Sequence, residues 1–133
     1  MRRTWSPLKQ RADFLRIAAA GLRRVTPAFI LQAVDVTPGA SGRIGFTVSR
    51  KVGNAVARNR ARRRLRAVAD RVIAAKAATA MTMDLVIIGR GDALTRDFTA
   101  MVNDLQHAIA RVAEGKGEKR SDRKPKDRAQ VNA

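Results

Sequence analysis

Cysteine and tyrosine are both absent from this chain of 133 residues. Without cysteine there is no disulfide framework, no thiolate zinc site and no cysteine nucleophile. The single histidine, His107, lies opposite the apolar stripe of its predicted helix, which favours an exposed surface residue over a catalytic base. With one tryptophan and four phenylalanines, the chain also lacks the aromatic signature of an RNA-recognition motif.

Long apolar runs are missing as well. No segment approaches the roughly 18 apolar residues that a membrane span needs. Met1, Arg2 and Arg3 resemble the start of a secretory signal, but no apolar core follows them. There is also no glycine-rich phosphate loop. We therefore expect a cytoplasmic protein that fits one domain.

Acidic residues are scarce, since 11 acids face 28 lysines and arginines, which gives a net charge of +17. Asp84, Asp92, Asp97 and Asp104 are scattered and do not form the compact motif that holds two metal ions. We expect no metal and no cofactor on the protein itself. The excess of positive charge, together with the absence of a metal-binding motif, predicts a protein that binds nucleic acid without itself cutting it.

The basic charge is concentrated in a predicted helix that follows Asn54, a good N-cap residue. Its apolar stripe comprises Ala57, Ala61, Leu65, Val68 and Val72, which lie within about 80° of one another. On the other side the predicted polar face comprises Arg58, Asn59, Arg60, Arg62, Arg63 and Arg66. A solvated face would alternate charges at i,i+4 spacing, whereas only Asp70 offsets these arginines. A membrane-surface helix would need bulkier apolar residues than alanine. The pattern favours a polyanion partner.

The remaining elements follow from periodicity. Ser6 and Pro7 are predicted to cap and begin a first helix, which ends near Gly21. Its apolar stripe is predicted to be Leu8, Ala12, Leu15, Ala19 and Leu22, with Phe14 off the stripe. Residues 29–36 predict a strand, closed by a turn at Thr37, Pro38 and Gly39. Residues 43–49 predict a second strand, in which Ile44, Phe46 and Val48 share the buried face.

The apolar run from Leu85 to Ile88 predicts a strand covered on both sides, which completes a β-α-β crossover with the basic helix. Thr95 is predicted to cap a third helix. The apolar stripe of that helix is predicted to be Phe98, Met101, Val102, Leu105, Ile109 and Val112. Domain organisation is therefore one nucleic-acid-binding domain over residues 1–113 and a disordered basic tail over residues 114–133.

The central block resembles a known family. Residues 43–51 read RIGFTVSRK, residues 52–56 read VGNAV, and Arg58-Asn59-Arg60 follows with Arg62 and Arg63. Set on a helix directly after that strand, the Arg-Asn-Arg triplet is specific, and the chain resembles the protein subunit of bacterial ribonuclease P. The resemblance extends from Leu8 and the Asp13-Phe14 pair to Asp84 and the third helix.

The resemblance implies a small α/β protein, an α+β two-layer sandwich of the order α-β-β-(β)-α-β-α. Its sheet would be mostly antiparallel, with a left-handed β-α-β crossover, although such connections are right-handed in about 98 per cent of proteins. The resemblance also implies an endoribonuclease holoenzyme that removes the 5′ leader of precursor tRNA. A large RNA would carry the active site and its Mg²⁺, and the protein would be a monomeric accessory, one per RNA.

By resemblance, two sets of residues bind RNA. The set that would contact the catalytic RNA is Arg50, Lys51, Asn54, Arg58, Asn59, Arg60, Arg62, Arg63 and Arg66. The set that would hold the single-stranded leader, in a cleft between the first helix and the sheet, is Phe14, Ile17, Ala18, Gln32 and Phe46. Relatives often carry aromatic residues where this chain has Ala18 and Gln32, which shifts the expected grip towards Phe14, Gln32 hydrogen bonds and phosphate contacts. Trp5 is a further stacking candidate, although a local packing role is favoured for it.

Rival classes remain open at this point. A structural ribosomal protein, or another RNA-binding or chaperone protein, would share the basic charge and the tail. A nucleoid-associated DNA protein is less favoured, because the chain lacks an obvious dimer seam or a recognition helix arrangement.

Overall fold

Helix-forming and β-branched segments alternate along the chain, and they set the element order in the structure, a computed structural model that describes residues 5–36, 42–80, 82–115 and 118–119. The helices are α1 (Arg11–Ala20), α2 (Ala55–Ala80) and α3 (Phe98–Ala113). The strands are β1 (Ser6–Pro7), β2 (Leu22–Val25), β3 (Phe29–Asp35), β4 (Arg43–Val48), β5 (Met83–Gly89) and β6 (Glu118–Lys119). Short 3₁₀ turns at Arg50–Val52 and Gly91–Leu94 precede α2 and α3.

These strands form one sheet in the order β1-β4-β5-β3-β2-β6. The pairs β1–β4 and β4–β5 are parallel. The pairs β3–β5, β2–β3 and β2–β6 are antiparallel, and they contribute most of the paired residues. The predicted α/β class with a mostly antiparallel sheet is confirmed.

The predicted crossover is formed by β4, α2 and β5. The two strands run parallel, with Ile44 opposite Leu85 and Val48 opposite Gly89. As the apolar run predicted, the centre of β5 is covered on both faces, since both Val86 and Ile87 are at most 2% exposed. The left-handed sense implied by the resemblance stays a prediction.

The main core lies between one face of the sheet and helices α2 and α3. Leu31 and Leu85 of the sheet pack there with Leu65 of α2 and with Met101 and Leu105 of α3. These five side chains are fully buried, as the apolar stripes of the two helices predicted. The inner side of α2 is thus packed against the sheet, and its outer side faces away from the main core.

Helix α1 covers part of the opposite face. Successive side chains of a strand point to opposite sides, so Val86 faces away from the main core. It forms a second, smaller cluster with Leu8 and Ile17. Phe14, Val34 and Ile88 pack at the margin of this cluster. The two faces of the sheet therefore have separate helices and separate clusters.

The predicted start of the first helix is wrong. Ser6 and Pro7 form β1 beside β4, and α1 begins at Arg11. A hydrogen bond from the Leu8 amide to the Ile44 carbonyl, 2.9 Å long, keeps the chain extended along β4. This pairing joins segments far apart in sequence, so it overrode the local signal of a serine followed by a proline.

The predicted apolar stripe of this helix is also wrong. Leu15 is 56% exposed, whereas Ile17 is fully buried. Apolar residues occur on almost every side of α1, so the periodicity could not identify the buried face. Gly21 does end the helix, as predicted. The chain then turns directly into β2, which the sequence pattern did not predict because two of its four residues are arginines.

The cap of α3 is Asp97 rather than Thr95. The Asp97 carboxylate accepts a hydrogen bond of 3.0 Å from the Ala100 amide, whereas Thr95 lies at the end of the preceding 3₁₀ turn. Two further predictions concern segments that are mostly undescribed. The predicted turn at residues 37–39 lies outside the described residues, and so does most of the predicted tail. Within the described part of the tail, β6 pairs with the edge of β2.

Candidate nucleic-acid interface

The start of α2 is fixed by a glycine and an asparagine. Gly53 has a φ of 149°, in the region that favours glycine, and a Cβ there would lie 2.8 Å from the Cβ of Ala57. As predicted, Asn54 is the N-cap, since its Oδ1 accepts a hydrogen bond of 2.9 Å from the Ala57 amide. The Arg58 guanidinium also donates to the Gly53 carbonyl at 2.9 Å. The turn is therefore tightly defined immediately before the arginines.

The inner and outer sides of α2 differ sharply. Ala61, Leu65, Val68 and Val72 of the predicted stripe are at most 1% exposed. The outer side carries exposed polar residues, and the described part of α2 has Asp70 as its one acid. The exposed members of the predicted set are Arg50, Lys51, Asn54, Asn59, Arg60, Arg63 and Arg66. We call the surface formed by residues 50–66 on this side the basic face.

Four cations of the basic face have no protein partner among the described residues. Arg50, Lys51, Arg60 and Arg63 make no side-chain hydrogen bond or ion pair within that part of the chain. Like charges four residues apart, such as Arg58 and Arg62, destabilise an isolated helix by about 0.2–0.5 kcal/mol per pair. A phosphate-rich partner would turn this cost into attraction, because each guanidinium can hold two phosphate oxygens.

Two members of the predicted polar face differ from their expected position. Arg58 and Arg62 are half-buried on the flank of α2, rather than opposite its apolar stripe. Arg62 donates to Asn59 Oδ1 at 2.9 Å, which orients both side chains along the exposed surface. They still adjoin the exposed cations, so the structure brings all nine predicted residues into one continuous segment.

Arg64 explains why a count of arginines is a poor guide to the interface. It donates to the Ala93 carbonyl at 2.9 Å and to the Arg96 carbonyl at 2.7 Å. These bonds tie α2 to the turn before α3. Arg71 lies over the Phe98 ring on the same flank, with its Cζ 5.5 Å from the ring centroid. Both arginines are used in packing.

The face of the sheet that carries α1 is only partly covered. Gly45, Val86 and Gln32 lie side by side across β4, β5 and β3. Phe14 of α1 packs onto this row, and a Cβ on Gly45 would lie 2.5 Å from its ring. Glycine therefore allows the close approach of the ring. Gln32 is half-buried at the end of this row, so α1 does not cover the row completely.

The predicted leader set is divided by the sheet. Phe14, Ile17, Ala18 and Gln32 belong to the side of α1, where Ile17 is fully buried. Phe46 belongs to the other side, where it packs against the main core. The structure therefore brings four of the five residues together and separates the fifth, and their role in binding a leader stays a prediction.

Phe46 instead joins the N-terminal segment to α2. Its ring centroid lies 5.5 Å from that of Trp5, and the Arg66 guanidinium lies 5.9 Å from its centre. Trp5 is only 6% exposed and donates from Nε1 to Asp70 at 2.8 Å. This confirms the packing role favoured for Trp5, and it leaves little of the ring for stacking on a base.

A charged cluster beside α1 was missed by the sequence predictions. Asp84 is 3% exposed, and its Oδ2 accepts hydrogen bonds from Arg16 at 3.0 Å and Arg43 at 3.2 Å. Its Oδ1 accepts from the Arg43 amide at 2.9 Å, and Asp13 bridges the same two arginines. We call these four side chains the Asp84 cluster. The detectable signal was one acid inside an otherwise apolar strand.

The electrostatics of the Asp84 cluster are balanced. Burial raises the pKa of Asp84, but the hydrogen bonds from Arg43 and Arg16 outweigh it and leave the pKa below its ordinary value. The hydrogen bond to Asp84 in turn raises the pKa of Arg43. Two carboxylates face two guanidiniums, so this cluster holds α1 on the sheet and offers little net charge to a ligand.

The described residues contain no obvious catalytic constellation. No group of three or more histidine and acidic side chains comes close enough to hold a metal ion within that part of the chain. His107 is exposed on α3, as predicted. None of the described helices is both long and apolar enough to cross a bilayer. The fold and the unpartnered cations define a class, namely small α/β proteins with an exposed basic helix.

Comparison with known proteins identifies the family. The family model for ribonuclease P matches residues 3–113. The ribonuclease P protein component of Paramagnetospirillum magneticum is 47% identical over 109 residues, covering 79% of this chain and 80% of that protein. The component of Gluconacetobacter diazotrophicus is 45% identical, covering 79% and 89%. The chain therefore belongs to the ribonuclease P protein family, which acts in tRNA 5′ processing.

A solved structure supports the same assignment. The RNase P protein of Staphylococcus aureus superposes with a TM-score of 0.63 at 27% identity, covering 78% of this chain and 92% of that protein. Together these similarities favour the ribonuclease P assignment over a structural ribosomal protein. They also place the chain as a protein component of an endoribonuclease holoenzyme.

Proposed function

We propose that the basic face docks on the catalytic RNA of ribonuclease P, and that this RNA carries the active site and its Mg²⁺. The observation that carries the proposal is the contrast within α2. Its inner side is buried from Ala61 to Ile73, while Arg60 and Arg63 are exposed with no acid partner among the described residues. A rigid helix with free guanidiniums can bind phosphates without reorganising.

The protein's own contribution would be electrostatic. Cations close to RNA phosphates reduce their mutual repulsion, so the folded RNA needs less Mg²⁺. Two metal ions held by RNA phosphates could activate the water and stabilise the leaving oxygen of the cleaved bond.

The partly covered face of the sheet beside α1 is the candidate site for the single-stranded leader of precursor tRNA. A row of residues across the strands ends in Gln32 on this face, and α1 carries Phe14 and Ala18 beside it. Gln32 can both donate and accept hydrogen bonds to a base edge. Because Phe14 is packed on Gly45, only part of its ring is free for a base. We expect the grip to rely on Gln32 and on shape more than on stacking.

Reconstitution tests the main proposal. The protein is mixed with a ribonuclease P RNA, and cleavage of precursor tRNA is measured across Mg²⁺ concentrations with and without the protein. We expect stimulation that is largest at low Mg²⁺ and that is reduced by Arg60→Ala. The same protein concentration with Arg111→Ala, an exposed arginine on α3, is the matched control. No stimulation by the unaltered protein would refute the proposal.

Binding of precursor and mature tRNA to the holoenzyme tests this candidate leader site. Gln32→Ala is expected to weaken precursor binding about three- to tenfold, and to leave mature tRNA, which lacks a leader, unchanged. Gln106→Ala on α3 is the control. Phe14→Ala would show the same selectivity if the ring touches the leader. An equal loss for both RNAs would show that these residues act through the fold.

Since precursor tRNA is made in the cytoplasm of bacteria, we expect the protein to act there. We also expect one protein monomer per catalytic RNA. Sedimentation of the reconstituted complex would give this ratio directly, and two copies per RNA would contradict it.

A further inference from the structure

Val56 is the most exposed large apolar side chain of the described residues. It is 73% exposed, compared with 56% for Leu15 and 51% for Val25. It lies in the first turn of α2 and packs in neither hydrophobic cluster. Its neighbours Ala55 and Ala57 are better helix formers, so the helix itself has no need of a valine at this position.

The position of Val56 is its informative feature. Residues three, four and seven positions further along a helix lie on the same side. For Val56 these residues are Asn59, Arg60 and Arg63, all of which are exposed. The two methyl groups therefore stand in the middle of the basic face, next to the cations that have no described protein partner.

We propose that Val56 is an apolar contact with the catalytic RNA, packing on a ribose or base surface while Arg60 and Arg63 hold the flanking phosphates. This inference rests on the proposed function and deepens it. Charge complementarity favours RNA over a protein, because the surrounding cations would need a dense set of acids on a protein partner. An apolar contact adds affinity that salt does not screen.

The two kinds of interaction differ in salt dependence, which makes them separable. Removal of one cation that binds a phosphate makes the slope of log affinity against log salt shallower by about one. Removal of a methyl group from the interface lowers affinity equally at all salt concentrations. Burial of one methyl group contributes on the order of 0.8 kcal/mol, which corresponds to about fourfold in affinity.

The test uses Val56→Thr, which keeps the branched shape and replaces one methyl group with a hydroxyl. Affinity of the full-length protein for ribonuclease P RNA is measured from about 50 to about 400 mM salt. We expect a line parallel to that of the unaltered protein and about four- to tenfold weaker. Arg63→Ala should give a shallower line. Val25→Thr, at an exposed valine on β2, should superpose on the unaltered protein.

Val56→Ala provides a second variant that removes apolar surface but favours the helix. It should also weaken binding in parallel, with a melting temperature that is unchanged or slightly raised. Superposition of the Val56→Thr line on that of the unaltered protein would overturn the inference, as would a shallower slope. The inference would also be overturned if a Val56 variant kept its affinity for the RNA but lost affinity for a protein partner. If the unaltered protein failed to bind the RNA, the proposed function itself would fall.

Discussion

The arginines beside α1 and those on the outer side of α2 make opposite use of the same side chain. Arg16 and Arg43 each contact Asp13 and Asp84. Arg60 and Arg63 contact no acid among the described residues. The first pair closes the fold, and the second pair is left for a ligand. Neighbouring acids, rather than the arginines themselves, therefore decide which role each one has.

Removal of Asp84 should produce the largest change. Asp84→Ala removes the acceptor of the Arg43 amide and leaves Asp13 as the one acid of the cluster that contacts the two guanidiniums. We expect the free energy of unfolding to fall by about 2–3 kcal/mol, because the variant cannot form these buried hydrogen bonds to a charged group. Urea denaturation would measure it.

Asp35→Ala, at an exposed position of β3, is the control and should change stability by less than about 0.5 kcal/mol. If both variants were equally stable, the Asp84 cluster would not be what holds α1 on the sheet.

Arg64 tests the comparison within a single helix. Arg64→Ala removes two hydrogen bonds to backbone carbonyls, so we expect a loss of about 1–2 kcal/mol in the free energy of unfolding. Its RNA affinity should keep the salt dependence of the unaltered protein. A clearly shallower salt dependence with unchanged stability would assign Arg64 to the RNA interface and contradict its assignment to packing.

Arg60 and Arg63 should behave in the reverse way. Arg60→Ala and Arg63→Ala are expected to leave the melting temperature unchanged or slightly raised, because each removes like-charge repulsion. Each should make the slope of log affinity against log salt shallower by about one, with a loss of roughly three- to tenfold in affinity near physiological salt. Filter binding to the catalytic RNA would measure both. A loss of stability without a change of slope would assign these residues to the fold.

The basic helix was predictable because its signals are local. Asn54 as N-cap and the stripe from Ala61 to Val72 depend only on residues a few positions apart, and the structure confirms both. The Arg-Asn-Arg triplet, in its place after the strand, likewise carried the family assignment. Which arginines of α2 are packed and which are exposed was not predictable, because Arg64 donates to carbonyls about 30 residues away in the sequence.

The α1 side of the molecule was predicted poorly, since its determinants are distant in sequence. The buried side of α1 is selected by Gly45, which admits the Phe14 ring, and by Asp84, which holds Arg16. None of these pairs lies within one turn or one strand. The grouping of Phe46 with the leader residues ignored that its strand alternates, which puts it on the other face of the sheet from Gly45.

Low pH should remove part of the difference between the two sets of arginines, because it neutralises the acid that Arg16 and Arg43 contact. The pKa of Asp84 is lower in the folded protein than in the unfolded chain, because Arg43 and Arg16 hydrogen-bond to the carboxylate more strongly than burial opposes it. The unfolded chain therefore binds the proton first as the pH falls. The stability that this charge contributes is present above the ordinary carboxyl pKa of about 3.9 and is lost below it.

The difference in stability between the unaltered protein and Asp84→Asn isolates this effect, because every other acid titrates in both. We expect the difference to be constant from about pH 7 to about pH 5 and to narrow as the pH falls below about 4. Asp97→Asn, at an exposed helix cap, is the control for loss of a carboxylate. Chemical denaturation at several pH values would measure the difference. A gap that widened in acid would mean that Asp84 is protonated more easily in the fold, and that its arginines do not stabilise its charge.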